Sequence, residues 1–184
     1  MLNKILILCL GLFSVLSWAD KPLIKLSTLD WPPYIAEKLD PESGKKGYVY
    51  DIIQAVMKEA GYEVQILFFP WARTVSAAKA GETDGYFPEY FVAHDWCKLS
   101  DAFPGGPLGL YKRKDFRIAF SVDPRMNQEQ ALKDLKQYNF GVVRDYVNTE
   151  VFDKANYLKK EESVSDENNL RKLSNRRIDF VVID

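Results

Sequence analysis

Between Gly47 and Phe87 the apolar positions change period repeatedly, and each change is marked by a glycine or a proline. Val49, Ile52, Ile53, Val56 and Met57 recur at the spacing of one helical face. Gly61 stands where a helix end calls for a left-handed residue. Val64 to Phe69 is then a short apolar run, suited to a buried strand. Pro70 breaks the run, a second short helix reaches Ala80, and Gly81 ends it. Asp84-Gly85-Tyr86-Phe87 opens the next strand. Helices alternating with buried strands predict an α/β fold whose parallel sheet is covered on both faces. Ligands bind such sheets at the carboxyl ends of the strands, where Trp71, Arg73 and Glu89 fall.

The flanking sequence extends this pattern. Leu23 to Leu29 predicts the first strand, and Asp30-Trp31-Pro32-Pro33-Tyr34 the turn leaving it. Two prolines restrict that turn and hold Trp31 and Tyr34 at the strand end. Lys38 to Lys46 is polar, carries Pro41 and Gly44, and predicts a surface loop. Pro104-Gly105-Gly106-Pro107 is a break, and Leu108 to Lys112 predicts a strand leaving one lobe and entering another. A second α/β pattern follows. It predicts a helix over Gln128–Gln137 with Leu132 and Leu135 inward, a strand over Phe140–Val143 and a helix over Val147–Ala155. Glu161–Ser165 reads as a polar connection, Asp166 as the N-cap of a helix to Ser174, and Ile178–Ile183 as a buried strand. A parallel-sheet domain that stops on such a strand leaves a face and an edge exposed. The expectation is therefore a sequence truncated relative to a complete protein.

The first residues predict export. Lys4 supplies a positive start, Ile5 to Leu16 an apolar core of twelve residues, and Ser17-Trp18-Ala19 a small-residue cleavage site. That assigns residues 1–19 to a signal peptide, and its core is too short to span a membrane. The 184 residues carry 25 basic and 26 acidic side chains, for a net charge of −1, with a pI near 5.9. This balance gives no footprint for nucleic acid. Once the leader is cut away with Cys9, Cys97 is the remaining cysteine, so no internal disulfide is expected. Beside Trp96 it reads as a small buried hydrophobe.

Catalytic templates find little support. His94 is the sole histidine and lies beside no nucleophile motif. One histidine and one mature cysteine do not make a zinc site, and no phosphate-binding glycine loop is present. No metal or cofactor is expected.

In order and spacing, the segments WPPY, GYVYDIIQAVMKEAGYEV, PWARTVSAAKAGETDGYF, LSDAF, GPLGLYKRKD, NFGVV and NNLRKLSNRRIDFVVID resemble the periplasmic solute-binding protein family 3, the amino-acid ABC transporter type. The resemblance spans residues 20–184. It implies a type II periplasmic-binding-protein-like fold, with two lobes that close on a small solute and present it to a membrane permease. Lobe 1 would cover residues 20–110 and lobe 2 residues 111–184, with the second lobe and the return to the first incomplete. Trp31 and Trp71 fall where the family has aromatics that sandwich the ligand, and Asp184 where amino-acid binders hold an ammonium group. An indole face suits a cation, and a carboxylate at a strand end pairs with one.

One departure bears on the ligand. The family's Thr-x-x-Arg segment, whose arginine clamps the ligand carboxylate, corresponds here to Phe91-Val92-Ala93-His94-Asp95-Trp96 and holds no arginine. Bidentate carboxylate recognition wants a guanidinium, so Arg73 or Arg144 would have to substitute from neighbouring strand ends. Otherwise the ligand lacks that carboxylate, and with Glu89 and Asp184 nearby an amine or polyamine fits. Tyr34, Glu89, Tyr90, Arg144 and Tyr146 complete the candidate ligand-binding set, each with a packing or surface role as the alternative. The expected protein is a periplasmic, monomeric, non-enzymatic binder of an amino acid or related amine, partnered by an ABC permease. A periplasmic lyase or dehydratase on the same fold, or an inactive truncated fragment, are the alternatives.

Overall fold

A computed structural model describes residues 21–90 and 94–183. Two sheets organise them. The first is built from β1 (Leu23–Thr28), β2 (Glu63–Phe68) and β3 (Gly85–Tyr86), in the order β2-β1-β3 and wholly parallel. Helix α1 (Tyr48–Glu59) connects β1 to β2, and α2 (Trp71–Lys79) connects β2 to β3. Both helices end as their glycines predict. Gly61 has φ +84° and Gly81 φ +73°. In each case the two amides after the cap bond back to the last turn: Gly61 to Lys58 and Tyr62 to Met57, Gly81 to Ala78 and Glu82 to Ala77.

The two helices are held by different chemistry. The α1 side is apolar, with Leu26, Ile35, Val49 and Phe87 buried among Ile24, Ile53, Met57 and Ile66. The α2 side is a network of buried hydroxyls. Ser27 Oγ donates to the Thr74 carbonyl at 3.0 Å, and Thr74 Oγ1 donates to the Thr28 carbonyl at 2.9 Å. Thr28 Oγ1 reaches the Phe87 carbonyl at 2.7 Å. Buried hydroxyls with satisfied bonds fix orientation more strictly than apolar contact does. They set the start of α2, and with it Trp71, against the strand ends.

The second sheet contains β4 (Gly109–Lys112), β5 (Asn139–Val143), β6 (Lys159–Ser163) and β7 (Phe180–Ile183), in the order β4-β7-β5-β6. β5, β6 and β7 are parallel, and β4 is antiparallel on β7. Alternation along the strands separates two faces. Phe140, Val142, Phe180 and Val182 pack with Leu132, Leu135 and Phe152, from the side of α3 (Gln128–Asp134) and α4 (Glu150–Asp153). Val181 packs on the other face with Leu173 of α5 (Asp166–Ser174) and with Ile178. Gly141 faces α5 so closely that an added Cβ would lie 2.5 Å from Ile178 Cδ1 and 2.7 Å from Asn169 Oδ1.

Several local expectations are corrected. Glu161–Ser165 is not a bare connection, because residues 159–163 form the edge strand β6; its charged sequence KKEES suits an edge with one protected side. α3 stops at Asp134 and α4 spans Glu150–Asp153, both shorter than their apolar spacing suggests. Thr149 caps α4 by accepting from the Phe152 amide at 3.3 Å. The N-cap of α5 is Ser165, which accepts from the Asn168 amide, and Asp166 is the first helical residue. Cys97 is half-buried rather than a core residue. β4 is already bonded into the second sheet at Gly109. The signal-peptide residues and Asp184 lie outside the described residues.

Candidate functional site

Parallel pairing puts the carboxyl ends of neighbouring strands on the same edge. In the first sheet Trp31 follows β1, Trp71 follows β2 and Glu89 follows β3. In the second, Arg144, Asp145 and Tyr146 follow β5, and Asp166 follows β6. The two edges meet. Trp71 Nε1 donates to the Asp145 carbonyl at 3.0 Å, and the Trp71 and Tyr146 rings are edge-on with centroids 5.8 Å apart. Asp145 has φ +63°, a left-handed conformation that turns this carbonyl out of the strand direction.

Around Trp71, 7% exposed, a connected aromatic group extends into the first lobe. Tyr86 meets it edge-on at 5.8 Å, Trp96 stacks on Tyr86 at 5.8 Å, and His94 lies 5.2 Å from Trp96. The Tyr86 hydroxyl donates to Glu89 Oε2 at 2.9 Å. Burial first, and then the bond to Glu89, pushes the Tyr86 phenol well above its ordinary range, so it remains a neutral donor. His94 Nε2 is 3.6 Å from the same carboxylate oxygen and has no hydrogen-bond partner among the described residues. The second lobe repeats the arrangement: the Tyr146 hydroxyl donates to Asp166 Oδ2 at 3.0 Å. One indole is thus flanked by two tyrosines, each bonded to a shielded carboxylate.

Trp31 and Tyr34 form a separate group. Their rings are 4.4 Å apart, and Tyr34 meets Tyr48 at 5.7 Å. Gly47 secures this loop with φ +102°, and a Cβ there would overlap the Tyr34 carbonyl. Among the described residues no ring contact joins this group to Trp71.

The arginines turn elsewhere. Arg73 forms a fork with Glu82, beyond the far end of α2, and lies over the Phe69 ring. Arg144 Nε donates to Glu162 Oε2 of β6 at 3.0 Å, with both side chains 57% exposed. Tyr90 is exposed. Tyr86, Trp96 and Asp166 are not among the ligand-site residues expected from sequence, which singles out His94 only as a catalytic or metal candidate. The order Gly-Tyr-Phe-Pro-Glu across a strand end was the available signal for Tyr86. Nothing local marks the others.

Two surface grooves, of about 410 and 640 Å³, are lined by none of Trp71, Tyr86, Glu89, Tyr146 and Asp166. The smaller is lined by β6 and α5 residues such as Ser163 and Arg171, the larger by α1 and β2 residues such as Gln54 and Val64. Among the described residues no three His, Cys, Asp or Glu side chains gather as metal ligands.

The architecture is that of the two-lobed periplasmic solute-binding proteins, in agreement with the resemblance drawn from sequence. An ancestral arginine-binding protein bound to arginine superposes with a TM-score of 0.72 at 20% identity, over 89% of this chain and 70% of its own. The substrate-binding protein of an amino acid ABC transporter gives 0.69 at 21% identity, over 88% and 69%. A Salmonella typhimurium periplasmic binding protein of high arginine specificity gives 0.70 at 18% identity, over 89% and 69%. No family model matches the sequence, and no curated protein matches it significantly.

Proposed function

We propose that this chain is a secreted, periplasmic, non-enzymatic solute-binding protein. It captures a small polar solute, an amino acid or related amine, between its lobes and delivers it as a monomer to an ABC permease. The observation that carries this reading is the meeting of two parallel-sheet carboxyl edges across Trp71, with aromatic faces and carboxylates on both sides. A solute touching both edges binds the closed arrangement best and shifts the lobes toward it. Trp31, Tyr34, Trp71, Glu89, Tyr90 and Tyr146 are the residues proposed to contact it. Asp184, the remaining candidate, lies outside the described residues. Arg73 and Arg144 drop to surface ion pairs in this arrangement.

A thermal melt of the purified protein against amino acids, amines, small peptides, sugars and organic acids tests the reading. A ligand at about a hundred times its dissociation constant stabilises by about 2.7 kcal/mol, roughly 5–10 °C for a chain of this size. A cooperative melt that no solute moves would overturn it. Recovery of a bound solute chemically changed would favour the lyase alternative.

A further inference from the structure

We infer that the solute is an organic cation recognised through its ammonium or guanidinium group without a carboxylate clamp, an inference that rests on the solute-binding reading above. The lobe-1 edge presents Glu89, whose side chain is 11% exposed. An ionised carboxylate offers about four acceptor positions, and the Tyr86 hydroxyl occupies one of them. His94 Nε2, at 3.6 Å, stops short of hydrogen-bond distance. Among the described residues this shielded carboxylate has one neutral hydrogen-bond donor, which compensates its charge poorly, and a cation entering between the lobes would complete it.

The walls favour the same charge. Trp71, Tyr86 and Tyr146 present indole and phenol rings in edge-on series, and aromatic rings attract cations through their quadrupoles. Across the cleft, Tyr146 carries a second carboxylate, Asp166, on its hydroxyl. The two basic side chains that sequence placed near these edges are both directed away. The Arg73 fork runs along α2 to Glu82, and Arg144 turns back to Glu162, the strand partner of Val142. Neither of these two guanidiniums is free to face an incoming carboxylate.

Matched pairs that differ by a carboxylate test this: agmatine with arginine, cadaverine with lysine, putrescine with ornithine. The expected result is that at least one amine raises the melting temperature as much as or more than its amino acid. Glu89→Gln, which retains an acceptor for Tyr86, is expected to weaken that amine roughly ten- to a hundredfold by calorimetry. Should E89Q fail to melt cooperatively, the paired comparison on the parent protein decides alone. Amino acids binding while their amines do not would overturn the inference and leave the solute-binding reading standing. So would selective binding of a neutral or anionic solute. A protein that binds no solute of any charge would overturn both.

Discussion

Trp71 Nε1 lies 3.0 Å from the carbonyl oxygen of Asp145, so an indole on the first sheet is bonded to the backbone of the second. The bond crosses 74 residues of sequence, and it uses a carbonyl that the left-handed Asp145 turns outward. Trp71→Phe keeps an aromatic ring against Tyr86 and Tyr146 but removes the donor. The expected cost is about 1 kcal/mol in urea unfolding, with a larger radius of gyration in solution scattering as the lobes separate more often. A variant with unchanged scattering and midpoint would show that the bond does not hold the lobes.

Gly47 occupies a backbone conformation that side chains avoid, and a Cβ added there would lie 2.2 Å from the Tyr34 carbonyl oxygen. Gly47→Ala is expected to destabilise by roughly 2–4 kcal/mol through combined strain and overlap. The Trp31–Tyr34 pair should loosen with it, read as a red shift in tryptophan emission. A neutral substitution would mean that the loop can be reached by another path.

Arg176 closes α5 as Gly61 and Gly81 close α1 and α2. Its amide bonds to Leu173 and the next amide to Lys172, at φ +59°. A side chain in that region costs about 1–2 kcal/mol. Arg176→Gly also loses an exposed ion pair to Asp115, which contributes little. A net gain of about 0.5–1 kcal/mol is expected from chemical denaturation, and a loss would contradict the capping argument.

Asp40 and Asp134 are among the carboxylates that make stability depend on acid pH. Backbone and then side-chain hydrogen bonds from Ser43 lower Asp40, and those from Ser121 lower Asp134. A carboxyl held below its unfolded value, about 3.9 for aspartate, binds fewer protons in the folded state. Its stabilisation is therefore complete above that value and is lost as pH falls through the lowered one. Urea midpoints should be flat near neutrality and fall below about pH 4. Asp134→Asn should flatten part of that slope, and an unaltered slope would remove Asp134 from the account.

Local chemistry made most elements legible. The glycines at 61 and 81, the proline at 70 and the short apolar runs FGVV and FVVI act within a few positions, so boundaries around them follow from sequence. The strand β6 escaped because KKEES has no apolar period: its strand character comes from pairing with β5, which a local pattern does not contain. α4 is shorter than its apolar spacing suggests because the Thr149 cap starts the helix at Glu150, inside the apolar pattern that begins at Val147.

The candidate site divides along the same line. Sequence alone determined that Trp31, Trp71 and Glu89 stand at strand ends, because a break after an apolar run says where a strand stops. The contact of Trp71 with Asp145 and Tyr146, the stacking of Trp96 on Tyr86, and the diversion of Arg73 to Glu82 and Arg144 to Glu162 were decided by the tertiary structure. Each depends on which strand ends become neighbours and on which opposite charge a flexible side chain can reach. Those are distances in space, fixed by sheet order and lobe packing, and spacing along the chain does not encode them.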